Sequence, residues 1–349
     1  MSALTRTAKM GFRLLRGLVF AGLAVWSTLA VYYSNLPPGW MRSLASIFYL
    51  AVLFGILIRV RPWWVARMVL LALFGGVVAW FLLIPPSNNR DWQPDVALLP
   101  FAEVNGDRVT IHNVRNCDYL SETNYTVSYY DRVYDVAKLQ SADLYVCCWG
   151  PPLIAHTMLS FGFEGGNYVC FSIEARKEKG EGFSAIKGFF RQFELIYVVG
   201  DERDLVRLRT NYRGESVYLY RLNGDIAVAR QVFLGYMKQI NRLKDQAEWY
   251  NAVTANCTTL IRGLAKPYVK NARFDWRILA NARVDEMAYE RKSLDQTLPF
   301  AELKARSQIT DRAKAADKDP AFSRRIREKL PGIVTLREGA RDISVKKQT

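Results

Sequence analysis

The chain has 349 residues, half of them hydrophobic, with a formal charge of +15. Residues 1–90 hold nine Lys/Arg and no acid, so residues 91–349 carry only +6. The basicity is therefore largely that of membrane topology; no nucleic-acid motif accompanies it, and nucleic acid is excluded as a partner.

Three charge-free stretches come first. Arg16–Arg42, Arg42–Arg59 and Arg67–Arg90 enclose apolar runs, and a bilayer-crossing helix needs about 20 such residues. They predict membrane spans near Leu18–Tyr33, Ser43–Ile58 and Met68–Ile84, with Trp40, Trp63, Trp64 and Trp80 near the interfaces. A cleavable signal peptide does not suit the first run, because two further spans follow and no small-residue cleavage site is evident. Arg6, Lys9, Arg13 and Arg16 precede span one, and Arg59, Arg61 and Arg67 lie between spans two and three, whereas the 34–40 loop is uncharged. The positive-inside rule places the N-terminus in the cytoplasm and the rest of the chain outside. The expected organisation is a membrane anchor over 1–84, a linker over 85–95, an outer domain over 96–300 and a basic tail over 301–349.

The outer region reads mostly as strands. Asp107–Arg115 alternates with period two after an Asn105-Gly106 turn, and Asp143–Trp149 is a continuous apolar run broken by Pro151-Pro152. Ala155–Phe163 and Tyr168–Arg176 flank Gly165-Gly166-Asn167 as a hairpin. Further strands are predicted at Phe193–Val199, Leu205–Thr210 and Ser216–Leu222. Ile226, Ala229, Val232, Phe233, Tyr236, Ile240 and Leu243 then recur at helical spacing behind Asn223-Gly224-Asp225. From Ala301 the chain is rich in Lys, Arg, Asp and Ala, which predicts an exposed helix or a disordered tail.

Chemistry concentrates at Asn256-Cys257-Thr258-Thr259. Leu260, Ile261 and Leu264 follow at helical spacing, which puts Cys257 in a first helical turn with Asn256 or Thr254 as cap. Unpaired N–H groups and the dipole there favour a thiolate. Only His112 and His156 are available as a base. His112, in an alternating strand, reads as a rim residue. His156 lies on the first strand of the hairpin, whose partner strand offers Ser172, Glu174 and Arg176 on one face, and Glu174 is the predicted orienter of its ring. Cys117, Cys147, Cys148, Cys170 and Cys257 all fall in the outer region, an odd number; no C-x-x-C occurs, and neither metal nor cofactor is expected.

His156–Phe163, Ser172–Arg176, Glu194-Leu195-Ile196-Tyr197, Arg207–Thr210 and Asn256–Thr259, with Val114-Arg115-Asn116 upstream, resemble the Lnb-type lipoprotein N-acyltransferase family over residues 91–290. A more distant resemblance is to circularly permuted papain-like thiol enzymes of the NlpC/LRAT type, in which a strand His precedes an Asn-Cys at a helix start. The basic tail has no counterpart in that pattern. The resemblance implies an α+β fold with an antiparallel sheet packed on helices. It implies Cys257 as nucleophile and acyl carrier and His156 as base. Arg115, Arg176, Asn256, Thr258 and Ser172 become candidate substrate-binding residues. The implied substrate is a lipoprotein or phospholipid at a bacterial inner membrane, with the domain in the periplasm and the site at the outer leaflet. A peptidase or amidase acting on cell-wall peptides, and a non-catalytic membrane-anchored binding protein, are the alternatives.

Overall fold

The computed structural model describes residues 3–36, 39–150, 153–269 and 273–333. The Pro151-Pro152 break and the end of the basic tail lie outside them.

One compact unit comprises residues 1–89, 182–194 and 248–252. Its three helices, α1 (Ala3–Tyr32), α2 (Gly39–Arg59) and α3 (Trp63–Leu83), are each long and apolar enough to cross a membrane. Most of their large side chains point outward, as lipid-facing surfaces require. Trp26 packs edge-on against Phe74 and Phe81, and Tyr33 stacks on Phe190, one residue beyond the short α4 (Ala185–Phe189). The last carbonyls of a helix have no partner inside it. Here Arg191 donates to the carbonyls of Phe81, Leu82 and Ile84 at 3.1, 3.0 and 3.3 Å. Trp249 Nε1 also reaches the Ile84 carbonyl, and Gln192 Nε2 reaches that of Tyr33. Residues far along the sequence thus complete the anchor.

The second unit is a mixed α+β domain built on a mostly antiparallel sheet. In chain order its strands are β1 (Phe101–Asn105), β2 (Arg108–Arg115), β3 (Asp118–Tyr119), β4 (Tyr125–Thr126) and β5 (Tyr129–Asp135). There follow β6 (Leu139–Cys148), β7 (Ala155–Phe163), β8 (Asn167–Arg176), β9 (Glu194–Gly200) and β10 (Ser216–Arg221). The spatial order is β1-β2-β9-β8-β7-β6-β10, with β5 also on β2 and β3–β4 apart. The β2–β9 contact, Arg115 opposite Gly200, is parallel.

Every residue of β7 is buried, because both faces of the sheet are covered. Phe161, Phe163 and Phe171 meet Phe233 of α6 (Ile226–Asp245), with Tyr236 beside them. On the other face Tyr145, Cys147, Met158 and Cys170 form one core with Leu205, Ile309 and Phe322. The β7–β8 hairpin turns through Gly165 and Gly166, both at positive φ. At Gly162 a Cβ would come within 2.5 Å of Ser141 Oγ and 2.6 Å of Tyr168, so glycine is what lets β6 and β8 close on β7.

Two expectations are corrected. The predicted strand Leu205–Thr210 is helical: α5 (Glu202–Arg207) runs into a π-helical turn over Leu208–Tyr212. Asp201 opens it, its carbonyl accepting from the amides of Asp204 and Leu205, and acids fill the first turn. The residues from Ala301 are not exposed throughout. Of α9 (Phe300–Ser307), α10 (Thr310–Ala315) and α11 (Phe322–Arg325), Leu303, Ala313 and Phe322 are buried, as are Ile309, Ile326 and Leu330. Arg327, 4 % exposed, donates to both Asp143 and Glu202, and Glu202 also accepts from Ser160 and Tyr145. Charges of this segment that look like surface in sequence are partly internal ion-pair partners.

Candidate active site

Helix α7 (Cys257–Ala265) begins with a complete capping box. Asn256 Oδ1 accepts from the Thr259 amide at 2.9 Å, and Thr259 Oγ1 accepts from the Asn256 amide at 3.0 Å. Cys257 is consequently the first helical residue, where free N–H groups and the positive dipole end lie. Cys257 is buried, 6 % exposed as a residue. Asn281 fixes this turn: its Nδ2 donates to Thr258 Oγ1 at 2.8 Å and approaches Cys257 Sγ at 3.7 Å. Its Oδ1 accepts from the amide of Ala155, the first residue of β7, at 2.8 Å. Thr258 Oγ1 also meets Thr157 Oγ1 at 3.1 Å. Asn281 was not singled out in the sequence, where Ala-Asn-Ala-Arg carries no motif. Burial pushes the thiols of Cys117 (to about 12), Cys147, Cys148 and Cys170 upward, so none of these four offers a thiolate near neutrality. All five cysteines are free.

His156 heads a polar relay. Its Nε2 lies 2.7 Å from Ser172 Oγ, Ser172 donates to Glu174 Oε1 at 2.6 Å, and Arg209 donates to the same oxygen at 3.2 Å. A hydroxyl has one proton. Since Ser172 gives its proton to Glu174, Nε2 must be the protonated nitrogen of His156, and Nδ1 carries the lone pair. Burial and Arg209 together hold the His156 pKa well below 6.5, the imidazole neutral. Burial opposes ionisation of Glu174, but Arg209 and the other cations nearby outweigh it and keep the carboxyl well below its usual range. Glu174 therefore reaches the imidazole through Ser172, and the serine makes the direct contact.

The two halves are neighbours without being bonded. Successive strand residues point to opposite faces; Thr157 faces α7, and His156 faces the side of Ser172 and Cys147. Among the described residues no hydrogen bond joins His156 to Cys257. Cys147 lies directly across the β6–β7 pair from His156, and Cys257 is among the groups that raise its pKa, after burial. The thiol is thus within electrostatic reach of the strand position opposite His156.

The two candidate arginines are turned inward. Arg115, 2 % exposed, makes a two-pronged pair with Asp204 at 2.9 Å for both bonds and donates to the Asp95 carbonyl. Arg176, also 2 % exposed, donates to the carbonyls of Val96 and Ala97 and lies over the Trp92 ring. His112 is paired with Asp131 at 2.7 Å and stacked on Phe101, as a rim residue would be. No cluster of three His, Cys, Asp or Glu side chains able to hold a metal occurs among the described residues.

A family model described as the Lnb N-terminal periplasmic domain matches residues 125–282. The match covers 158 of the 349 residues, somewhat under half of the chain. It takes in β6–β8 and α6–α7, and so His156, Ser172, Glu174, Arg209, Cys257 and Asn281, while Arg115 falls outside. No curated protein and no solved structure matches the chain. The molecule is accordingly three apolar N-terminal helices followed by a region similar to the Lnb N-terminal periplasmic domain.

Proposed function

We propose that this protein is a membrane-anchored acyltransferase in which Cys257 carries the acyl group as a thioester. The observation that carries the reading is the His156–Ser172–Glu174 hydrogen-bond chain: it assigns the Nε2 proton to Ser172 and leaves Nδ1 as the basic nitrogen, on the residue next in β7 to Thr157, which touches the first turn of α7. Nδ1 takes the thiol proton and Sγ attacks the ester carbonyl of a lipid-linked acyl chain. The tetrahedral oxyanion lies against the α7 N-terminal N–H groups, and on collapse His156 returns the proton to the departing alkoxide, leaving a lyso-lipid. A neutral primary amine then attacks the thioester carbonyl, His156 Nδ1 takes the amine's proton, and Sγ leaves as a thiolate to which that proton returns. The acceptor that fits the Lnb match is the N-terminal amine of the same diacylglyceryl-cysteine lipoprotein. The reaction requires the Cys257 turn and the imidazole to close on each other from the positions described above. The N-terminus lies in the cytoplasm and the Lnb domain in the periplasm, where such substrates reside.

The test is acylation of Cys257 itself. Purified protein mixed with a diacylated lipopeptide whose amine is blocked is expected to accumulate a hydroxylamine-labile acyl adduct on the Cys257 peptide. Cys257→Ala abolishes the adduct, and His156→Ala slows it by ~10²–10⁴-fold. An unmodified Cys257 with folded protein contradicts the proposal. The missing Cys257–His156 bond favours a second reading, a binding protein in which the buried thiol is structural, and that outcome would support it. An acyl-enzyme that water resolves, with no transfer to amine, would indicate the amidase class instead.

A further inference from the structure

The three anchor helices enclose a half-open cavity of about 670 Å³, lined from Arg13 to Leu29 on α1, from Tyr49 to Leu57 on α2 and from Trp63 to Phe74 on α3. We infer that this groove is a binding site for one acyl chain of an anionic glycerophospholipid, its phosphate held by Arg13, Arg16 and Arg67.

Three observations support this. First, the wall is apolar: Ser27 and Thr28 spend their hydroxyls on carbonyls of their own helix, at Leu23 and Ala24, leaving the Tyr49 hydroxyl as the wall's unpartnered polar group among the described residues. Second, the span suits a chain. Arg16 to Leu29 is 13 residues of helix, about 20 Å at 1.5 Å per residue, which exceeds one leaflet of a hydrocarbon core about 30 Å thick. Third, the charge is confined to one end. Arg13, Arg16 and Arg67 line that end and have no ion-pair or hydrogen-bond partner among the described residues, and residues 1–90 contain no acid to neutralise them. A guanidinium cluster at the mouth of an apolar slot fits a phosphate headgroup with its chain below. A neutral lipid would leave those charges unmatched.

Gly17, in the wall beside Arg13 and Arg16, supplies the probe. A Cβ there meets nothing within 4 Å, so Gly17→Leu occupies the groove without displacing a helix and keeps every charge. The full chain, purified in mild detergent and washed, is titrated with phosphatidylglycerol or phosphatidylcholine of equal chain length, and bound lipid is read by native mass spectrometry. The expected result is one retained phosphatidylglycerol per chain, preferred at least tenfold over phosphatidylcholine. Arg16→Gln/Arg67→Gln should weaken that retention roughly 20-fold, and Gly17→Leu should abolish it for both lipids. Equal retention of the two lipids by the wild-type chain would show ordinary solvation by the bilayer and overturn the inference. So would failure to retain lipid, or an unaltered Gly17→Leu variant.

Discussion

At the scale of single residues, the decisive feature is who holds whose proton. The Ser172–Glu174 bond settles the tautomer of His156, and with it the atom that can act as base. Ser172→Ala and Glu174→Gln should each lower acyl transfer by ~10²-fold, by releasing the ring from its position while the thiol stays intact. The diagnostic is a rate loss with unchanged labelling of Cys257 by a small alkylating agent in unfolded protein. The depressed His156 pKa also has a sign. A folded value below the ordinary 6.5 means that the unfolded chain binds the proton more readily at mildly acid pH. This group's contribution to stability is therefore complete above about 6.5 and is lost as pH falls below it. The acid limb of the rate profile should likewise lie below 6.5, because the base stays neutral there. A limb at or above 6.5 would mean that the titrating base is not the His156 imidazole held by Arg209 and burial.

The placement of Asn256 as cap and Cys257 in the first helical turn was legible in the sequence, because a polar cap precedes a helical apolar run. The sequence did not reveal Asn281. That residue's role comes from bonds to Thr258 and to Ala155, 126 positions away, and spacing encodes no such contact. Asn281→Ala leaves the Ala155 amide and Thr258 hydroxyl short of partners, at a cost of about 1–3 kcal/mol.

At the scale of elements, α7 depends on its capping box, and Thr259→Ala should cost about 1 kcal/mol and loosen the turn that holds Cys257. The hairpin of β7 and β8 was legible from the Gly165-Gly166-Asn167 turn between two apolar runs, and its bounds agree with the reading to within a residue. The segment Leu205–Thr210 was not. Leu-Val-Arg-Leu-Arg-Thr suits a strand or a helix equally, and the choice rests on partners outside it: Asp118 for Arg207, and Glu215 and Glu174 for Arg209. The C-terminal helices misled for the same reason, since a Lys/Arg-rich composition hides the buried position of Arg327. Arg327→Met leaves Glu202 without a cation partner and Asp143 with Arg221 alone, in the core. It should destabilise the protein by about 3–5 kcal/mol, measured as a shift in the denaturant midpoint of the detergent-solubilised chain.

At the scale of the whole molecule, the apolar helices and the Lnb domain were both foreseeable, one from charge-free length and the other from scattered motifs. What the sequence did not convey is that residues 182–194 and 248–252 cluster with the helices, because carbonyl capping by Arg191 and Trp249 is a tertiary event. The charge asymmetry predicts a phosphatase reporter fused at residue 89 to be active outside the cytoplasm and one fused at residue 62 to be inactive.

The most direct test of the central claim is mass spectrometry of lipoprotein N-termini from cells that lack their own N-acylating enzyme and express this chain. An N-acylated, lyso-form lipoprotein is expected with the wild-type protein and not with Cys257→Ala or His156→Ala. Lipoproteins left unmodified by folded, membrane-inserted wild-type protein would contradict the account.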